Sequence, residues 1–251
     1  MDSSIEWHNR FMQQAEWTVA ARKYIDSKIN LPSAEKILEV GCGTGAILFD
    51  IVQNTGSNSQ IYGIDIDRTF ILKAHTFVKK PVVCQSDGLF LPFENNTFST
   101  TVCHFYLLWV SDPVQAVKEM KRVTQPDGWI VAFAEPDYAF RIDFPDELSK
   151  IGKLQADSLV AQGADPFIGR RLAAIFQQAG CFDIQVGLLG GEWGKKINQE
   201  EFDLEWQCIH SDLSHLLPAT ELTELKRIDQ KAWEDRTRIL YVPTFYALAH
   251  V

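Results

Sequence analysis

The chain is predicted to be an α/β protein with a mostly parallel sheet covered by helices on both faces. Three observations lead there. Near-continuous apolar runs alternate with helix-period segments from Lys36 onward. The first apolar run, "KILEV", passes straight into a glycine-rich turn, "GCGTG". The second, "QIYGID", ends in a carboxylate. Strand, tight turn, helix and a later acidic strand end are the layout of a nucleotide-like ligand site.

The elements follow in order. Residues 5–28 carry Trp7, Phe11, Trp17 and Tyr24 among helix formers and read as one or two helices with an aromatic face. "LPSAEK" stops them. Strands are expected at 36–40, 60–65, 81–87, 99–105 and 129–135. Helices follow the first two, over "GAILFDIVQNT" and "RTFILKAHTFVKK". "PVQAVKEMKRVT" opens with proline and places Val114, Val117 and Met120 at helical spacing, so it is a helix. Residues 137–165 are polar with a helical patch. Residues 168–180 form a helix closed by Gly180, and 181–189 alternate as a strand. The stretch from Trp193 to about residue 238 reads as helical, and "YVPTFYALAHV" closes the chain as a last strand.

Composition narrows the function. The 251 residues are 46% hydrophobic and 23% charged, with a formal net charge of −9. That balance works against a general grip on nucleic acid or an anionic membrane. Its short basic runs, "KEMKR" and "GRR", fit solvated helix faces. The start, "MDSSIEWHNR", lacks the basic and apolar regions of a leader, and "FYLLWV" is too short to span a bilayer. With five cysteines and no CxxC pair, a cytoplasmic location with reduced thiols is expected. No metal-ligand cluster is visible. Cys42, inside the glycine turn, has no neighbouring base and reads as a small structural residue.

The glycine turn leaves the ligand class open between a dinucleotide, a triphosphate and a third kind. Gly41, Gly43 and Gly45 let the backbone turn sharply and approach a ligand closely. Gly41-x-Gly43-x-x-Ala46 satisfies a relaxed dinucleotide fingerprint, which keeps a NAD-dependent oxidoreductase as the alternative. A triphosphate loop would need a following Gly-Lys-Ser/Thr, which is absent. Glu39, two residues before Gly41, would repel a pyrophosphate but suits a cationic amino-acid group. Asp65 and Asp87, at the second and third strand ends, offer one carboxylate for ribose hydroxyls and one for an exocyclic amine. A charged hydrogen bond of this kind contributes about 1.5–3 kcal/mol.

In this order, "ILEVGCGTG", "YGIDID", "QSDGLFLPFENNTFSTTV", "RVTQPDGWIVAFAEP" and "AGCFDIQV" resemble the class I S-adenosylmethionine-dependent methyltransferases, in the branch that acts on small molecules. The likeness spans roughly residues 33–190. The chain departs from the pattern at "PDG", where the family has two glycines, and at "FST", where it has an aspartate after the phenylalanine. Neither is a ligand contact. The resemblance implies a Rossmann-like, seven-stranded, mostly parallel sheet with the last strand antiparallel. It implies one methyltransferase domain: an N-terminal helical cap (1–32), a cofactor-binding core (33–190), a helical insertion (191–240) and the last strand (241–251). It also implies site roles. The backbone from Glu39 through Gly41, Cys42 and Gly43 to Gly45 would hold the methionine end of S-adenosylmethionine. Asp65 would take the ribose, with Ile66 against adenine. Asp87 would take the adenine amine, with the backbone of Gly88 and Leu89 at the ring edge. His104 and Phe105 would border the sulfonium and the acceptor.

An oxygen acceptor also needs a base within reach. His104 is the candidate catalytic residue; Glu135, Asp137 and Tyr138 are further ones. No Asn-Pro-Pro-Tyr motif follows the fourth strand, so adenine or glutamine nitrogen in a macromolecule is a poor fit as acceptor. Residues 1–30 and 191–240 hold five of the seven tryptophans. The expectation is a lid in which Trp17, Trp193 and Trp206, with Tyr106, Trp109, Tyr138 and Tyr241, surround a small apolar or aromatic acceptor. His210 and His215 are expected at the surface or in that lid. A non-catalytic binding protein that kept the cofactor fold is the remaining alternative.

Overall fold

The computed structural model describes residues 3–188, 190–194 and 198–251, with side chains from Trp7 onward. Leu189, the end of the expected strand 181–189, and residues 195–197, near the start of the expected helical stretch, lie outside the described residues. So do residues 1 and 2 of the expected cap.

The chain opens with helices α1 (Ser3–Trp17) and α2 (Val19–Ile29). Alternation then begins with β1 (Lys36–Val40), α3 (Ala46–Asn54), β2 (Gln60–Asp65), α4 (Arg68–Phe77), β3 (Val82–Gln85) and β4 (Phe98–Cys103). It continues through α5 (Pro113–Val123) and β5 (Thr124–Pro136). Next come β6 (Ile142–Phe144), α6 (Ser149–Ala161), α7 (Ile168–Gln178) and β7 (Phe182–Leu188). Helices α8 (Gln199–Leu213) and α9 (Ala219–Glu234), then strands β8 (Ile239–Tyr241) and β9 (Thr244–His250), complete it.

Local chemistry sets the helix starts. The Asp67 carboxylate accepts the Thr69 and Phe70 N–H groups and so caps α4. Asp112 accepts the Gln115 N–H at 2.9 Å and Pro113 fills the first position of α5. Gly180, at φ +77°, ends the turn after α7 as expected. The third and fourth strands end earlier than expected, at Gln85 and Cys103, and two further boundaries differ from the sequence reading. The fifth strand starts at Thr124, because Thr124 already pairs with Phe98 before the register shifts to Thr100–Trp129. The final strand starts at Thr244, not at Tyr241. Tyr241 pairs with Ile142 in a separate two-stranded ribbon of β6 and β8, and Pro243, which has no N–H, separates the two strands.

The main sheet has seven strands in the order β3-β2-β1-β4-β5-β9-β7. β1 to β5 run parallel, and β9 is antiparallel to both β5 and β7. On one face Ile37, Ile61, Val102 and Val131 pack against Ile25, Ile47 and Ile71 of α2, α3 and α4. On the other, Leu38, Ile64, Ile130 and Ala247 pack against Met120 of α5 and Phe176 of α7. Full burial of each such side chain contributes roughly 1.5–3 kcal/mol. The order reverses between β1 and β4, which opens a crevice at their carboxyl ends. Apart from these two layers, Leu148, Ile151, Phe202, Trp206, Leu213 and Leu222 form a third cluster, in which α8 and α9 pack with α6 as a cap.

Candidate active site

The crevice is floored by backbone. Gly41, Gly43 and Gly45 hold φ of +74°, +51° and +90°, values that a side chain disfavours. The Gly41 and Cys42 N–H groups both donate to the Ile64 carbonyl, at 2.9 and 2.8 Å, which ties the loop to β2. The Gly43 N–H donates to Asp65 Oδ2 at 2.8 Å, while Asp65 Oδ1 accepts the Asp67 N–H at 2.9 Å. Burial raises the Asp65 pKa above its ordinary range. Ile66, next in the chain, is 68% exposed. At the end of β3, Asp87 Oδ1 accepts the Leu89 N–H at 2.9 Å.

Glu39 lies buried under this loop, and its Oε2 has no partner. Burial, reinforced by the nearby Asp65 carboxylate, pushes its pKa up to about 8. Tyr106 is the second anomaly. A Cβ on Gly41 would stand 2.4 Å from its ring, and one on Gly88 would stand 2.1 Å from its hydroxyl. Both glycines therefore make room for this side chain. The Tyr106 hydroxyl is also buried without a partner. An orphaned carboxylate oxygen and an orphaned hydroxyl in one crevice mark a place suited to the polar groups of a ligand.

Helix α1 covers the loop. His8 Nδ1 lies 2.8 Å from Thr44 Oγ1. The Phe11 ring occupies the space a Gly43 Cβ would need, with Trp7 and Phe70 packed on it at 5.6 and 5.3 Å between ring centroids. Cys42 is buried and its thiol pKa is pushed up by burial, which suits the structural role read for it.

After β4 the chain turns sharply. Phe105 adopts φ +48°, a strained value for a bulky residue. Glu135 holds the turn: its Oε1 accepts the Tyr106 and Leu107 N–H groups at 3.0 and 2.9 Å, and its Oε2 accepts the Leu108 N–H at 3.3 Å. Burial raises its pKa to about 7 even against these bonds. Asp137 is equally engaged, held by both Nε and Nη2 of Arg170. His104 is buried, with Nε2 2.8 Å from Thr18 Oγ1, and that hydroxyl accepts from Arg22 Nη1 at 2.5 Å. Burial first, and the Arg22 charge second, hold the imidazole pKa well below its usual value. Of the four candidate bases, Tyr138 alone stands in a cavity wall.

That cavity has a volume of about 1000 Å³. It lies between Phe105, Leu108 and Trp109 after β4, Tyr138 after β5, and helices α1, α6, α8 and α9. Trp109, Tyr138 and Trp206 line it as read from the sequence, and His210 is on its wall. Tyr106 belongs to the crevice instead. Trp17, Trp193 and Tyr241 are not in the wall. Trp17 is the last residue of α1 and half-exposed, with the Arg10 guanidinium 4.7 Å over its ring. Trp193 packs edge-on against Tyr241 at 5.7 Å and donates from Nε1 to the Leu240 carbonyl at 3.1 Å, because Pro243 places Tyr241 in the ribbon. Sequence reasoning missed Arg10, Gln13, Gln155 and Asp212, which bring polar groups to the wall. Arg10 alone left a signal, as a charge between Trp7 and Phe11 on an aromatic helix face.

Comparison with known proteins agrees with this geometry. A family described as methyltransferase domain matches residues 38–132. A demethylmenaquinone methyltransferase of Bacillus pumilus is 28% identical over 210 residues, covering 74% of this chain and 88% of that protein. One of Anoxybacillus flavithermus is 29% identical over 189 residues, covering 67% and 78%. The solved structure of an S-adenosylmethionine-dependent methyltransferase of Thermotoga maritima, described as a possible histamine N-methyltransferase, shares the fold. Its TM-score is 0.58 at 14% identity, over 98% of this chain and 94% of that one.

Sheet order, glycine loop and acidic strand ends define an enzyme that uses S-adenosylmethionine to transfer methyl groups. Residues 38–132 match the methyltransferase-domain family, and the chain is an S-adenosylmethionine-dependent methyltransferase. The residues present fit that cofactor: the orphaned Glu39 oxygen suits a cationic amino group, and the exposed Ile66 beside Asp65 suits an apolar ring next to a diol.

Proposed function

We propose that the enzyme methylates a small, largely apolar or aromatic molecule held in the cavity under the cap. The observation that carries this reading is the position of Phe105 in the cavity wall, one residue from His104 and next to the turn that closes the crevice. Glu39 and the backbone of residues 41–45 hold the amino-acid end of the cofactor; Asp65 and Ile66 hold its nucleoside, with Asp87, Gly88 and Leu89 at the adenine. His104 and Phe105 border the reacting end. His104, kept neutral, serves there as a hydrogen-bonding group and not as a strong base.

When bound, S-adenosylmethionine supplies a methyl group already activated on sulfonium. The chain's own task is to orient the acceptor and exclude water, which contributes on the order of 7–11 kcal/mol. Core and cap act as one domain. The relatives' names favour an oxygenated ring as acceptor. Among the described residues no helix is long and apolar enough to cross a membrane, and no two cysteines form a disulfide. These features, with the net charge of −9, support a cytoplasmic enzyme whose partner is a small molecule and not nucleic acid or membrane. The test is to supply S-adenosylmethionine with a panel of phenols, quinols and amines and to follow S-adenosylhomocysteine and methylated product by mass spectrometry. Acceptor-dependent product is the expected result; tighter binding of NAD than of S-adenosylhomocysteine would overturn the reading.

A further inference from the structure

The cavity wall carries hydrogen-bond donors that the protein leaves unused. The Arg10 side chain is only 13% exposed. Its Nη1 donates to Gln13 Oε1 at 2.8 Å and to Glu205 Oε2 at 2.7 Å. Among the described residues, Nε and Nη2 meet no acceptor, yet neither is sealed away as a buried unpartnered atom. The guanidinium carbon lies 4.7 Å over the Trp17 ring, and with the Gln13 and Glu205 bonds this contact restrains the group before any ligand arrives. Tyr138 adjoins it: burial pushes the phenol pKa up, and the Arg10 charge draws it back. Among the described residues its hydroxyl has no hydrogen-bond partner, and it too lines the cavity.

The charges around these donors decide what they can hold. Glu205 neutralises Arg10, and Lys226 neutralises Asp203 at 3.1 Å. Asp212 remains, its Oδ2 accepting from Gln155 Nε2 at 3.1 Å, with Gln162 as a second donor and, among the described residues, no cation paired to it. Counting Glu205 behind Arg10, these charges leave one carboxylate in excess, and an anionic ligand would be repelled there. An uncharged oxygen is not: it accepts from guanidinium and phenol without bringing a charge into a desolvated space. Trp7, Phe105 and Trp206 supply flat apolar surface beside the donors.

Building on the methyl-transfer reading above, we propose that Arg10 and Tyr138 form a donor pair that holds an uncharged hydroxyl or carbonyl oxygen on the ring of the methyl acceptor. The pair selects oxygenated neutral rings over bare hydrocarbon, and over rings that carry a carboxylate or phosphate. Arg10 acts from α1 and Tyr138 from the turn after β5, so the anchor forms only when the N-terminal helix is seated on the core.

The test uses three probes of one ring size: 2-naphthol, naphthalene and 2-naphthoate. Each is titrated into the full chain saturated with S-adenosylhomocysteine, with tryptophan fluorescence as readout. The expected order is 2-naphthol tightest, naphthalene about tenfold weaker, and 2-naphthoate weakest. Tyr138→Phe and Arg10→Lys should each weaken 2-naphthol about tenfold and leave naphthalene unchanged. Arg10→Lys keeps a cation for Glu205 while removing the unused nitrogens, so it guards against loss of the fold. The proposal fails if 2-naphthoate binds as tightly as 2-naphthol. It also fails if 2-naphthol gains nothing over naphthalene, or if both variants bind 2-naphthol like the parent. Failure of the methyl-transfer reading shows separately, as no binding of S-adenosylhomocysteine by the parent chain.

Discussion

Between β1 and α3 a few consecutive residues build the floor of the crevice, whereas the cavity wall draws on α1, α6, α8 and α9, which are scattered along the chain. The crevice relies on backbone: positive φ at three glycines and N–H groups given to Ile64 and Asp65. The cap relies on buried charge. Asp143 accepts from Arg141 at 2.8 and 3.0 Å and from Arg238 at 2.7 Å; Arg238 also donates to Asp229 at 2.5 Å, and Asp229 accepts the Trp206 indole N–H at 2.7 Å. The difference teaches where each region tolerates change. A site made of backbone depends on residue size and conformation. A site made of paired charges depends on no partner being removed alone.

The sharpest way to break this contrast is Arg238→Ala. It leaves the buried Asp229 without its guanidinium and Asp143 with Arg141 alone, and a loss of about 3–5 kcal/mol is expected in urea unfolding. An unchanged midpoint would show that the cap does not depend on its ion pairs. Asp65→Ala should act at the other end. It should weaken S-adenosylhomocysteine binding by about 1.5–3 kcal/mol in calorimetry, the range for a lost charged acceptor, with the cap intact. Parent-like affinity would remove Asp65 from the cofactor site.

Glu39→Gln sharpens the comparison through pH. The folded pKa of Glu39, about 8, lies above its ordinary 4.5, so the native state holds the proton more tightly than the unfolded chain. Stability from this group is complete below pH 4.5 and declines as pH rises towards 8. The variant should therefore exceed the parent at pH 8 by about 1 kcal/mol or more and match it near pH 4. Urea midpoints at the two pH values decide it; equal stability at pH 8 would mean that Glu39 is not buried as an acid. The smallest effect is expected for Trp193→Ala. Its ring is 40% exposed and lies outside the cavity wall. Loss of about 1 kcal/mol or less is expected, with turnover per folded molecule unchanged; a drop in turnover would return Trp193 to the acceptor site.

The same contrast explains what could be read from the sequence. The strand, glycine turn and helix at 36–54 announce themselves because apolar runs and positive-φ glycines are local demands. Asp65 and Asp87 could be located because one ends such a run and the other lies two residues past the end of the next. The antiparallel final strand entered only through family resemblance, since no spacing in the chain reveals its place between β5 and β7. The cap's partners were out of reach for a physical reason. Arg10 meets Glu205 across 195 positions and Arg238 meets Asp143 across 95, and neither pair leaves a period in the sequence. The aromatic residues expected of a lid can be named from the sequence, but which of them face the cavity depends on helix phase and on the break at Pro243.

One feature of α1 reaches further than either site. The helix presses Phe11 onto the glycine loop and hands Arg10 and Gln13 to the cavity. A molecule that steadies α1 from one side also steadies it for the other. On the proposed reading the two ligands would be thermodynamically linked: whatever factor the cofactor contributes to acceptor affinity, the acceptor would return to the cofactor in full. Such couplings are typically about 1–3 kcal/mol, and titrating the acceptor with and without S-adenosylhomocysteine would measure this one.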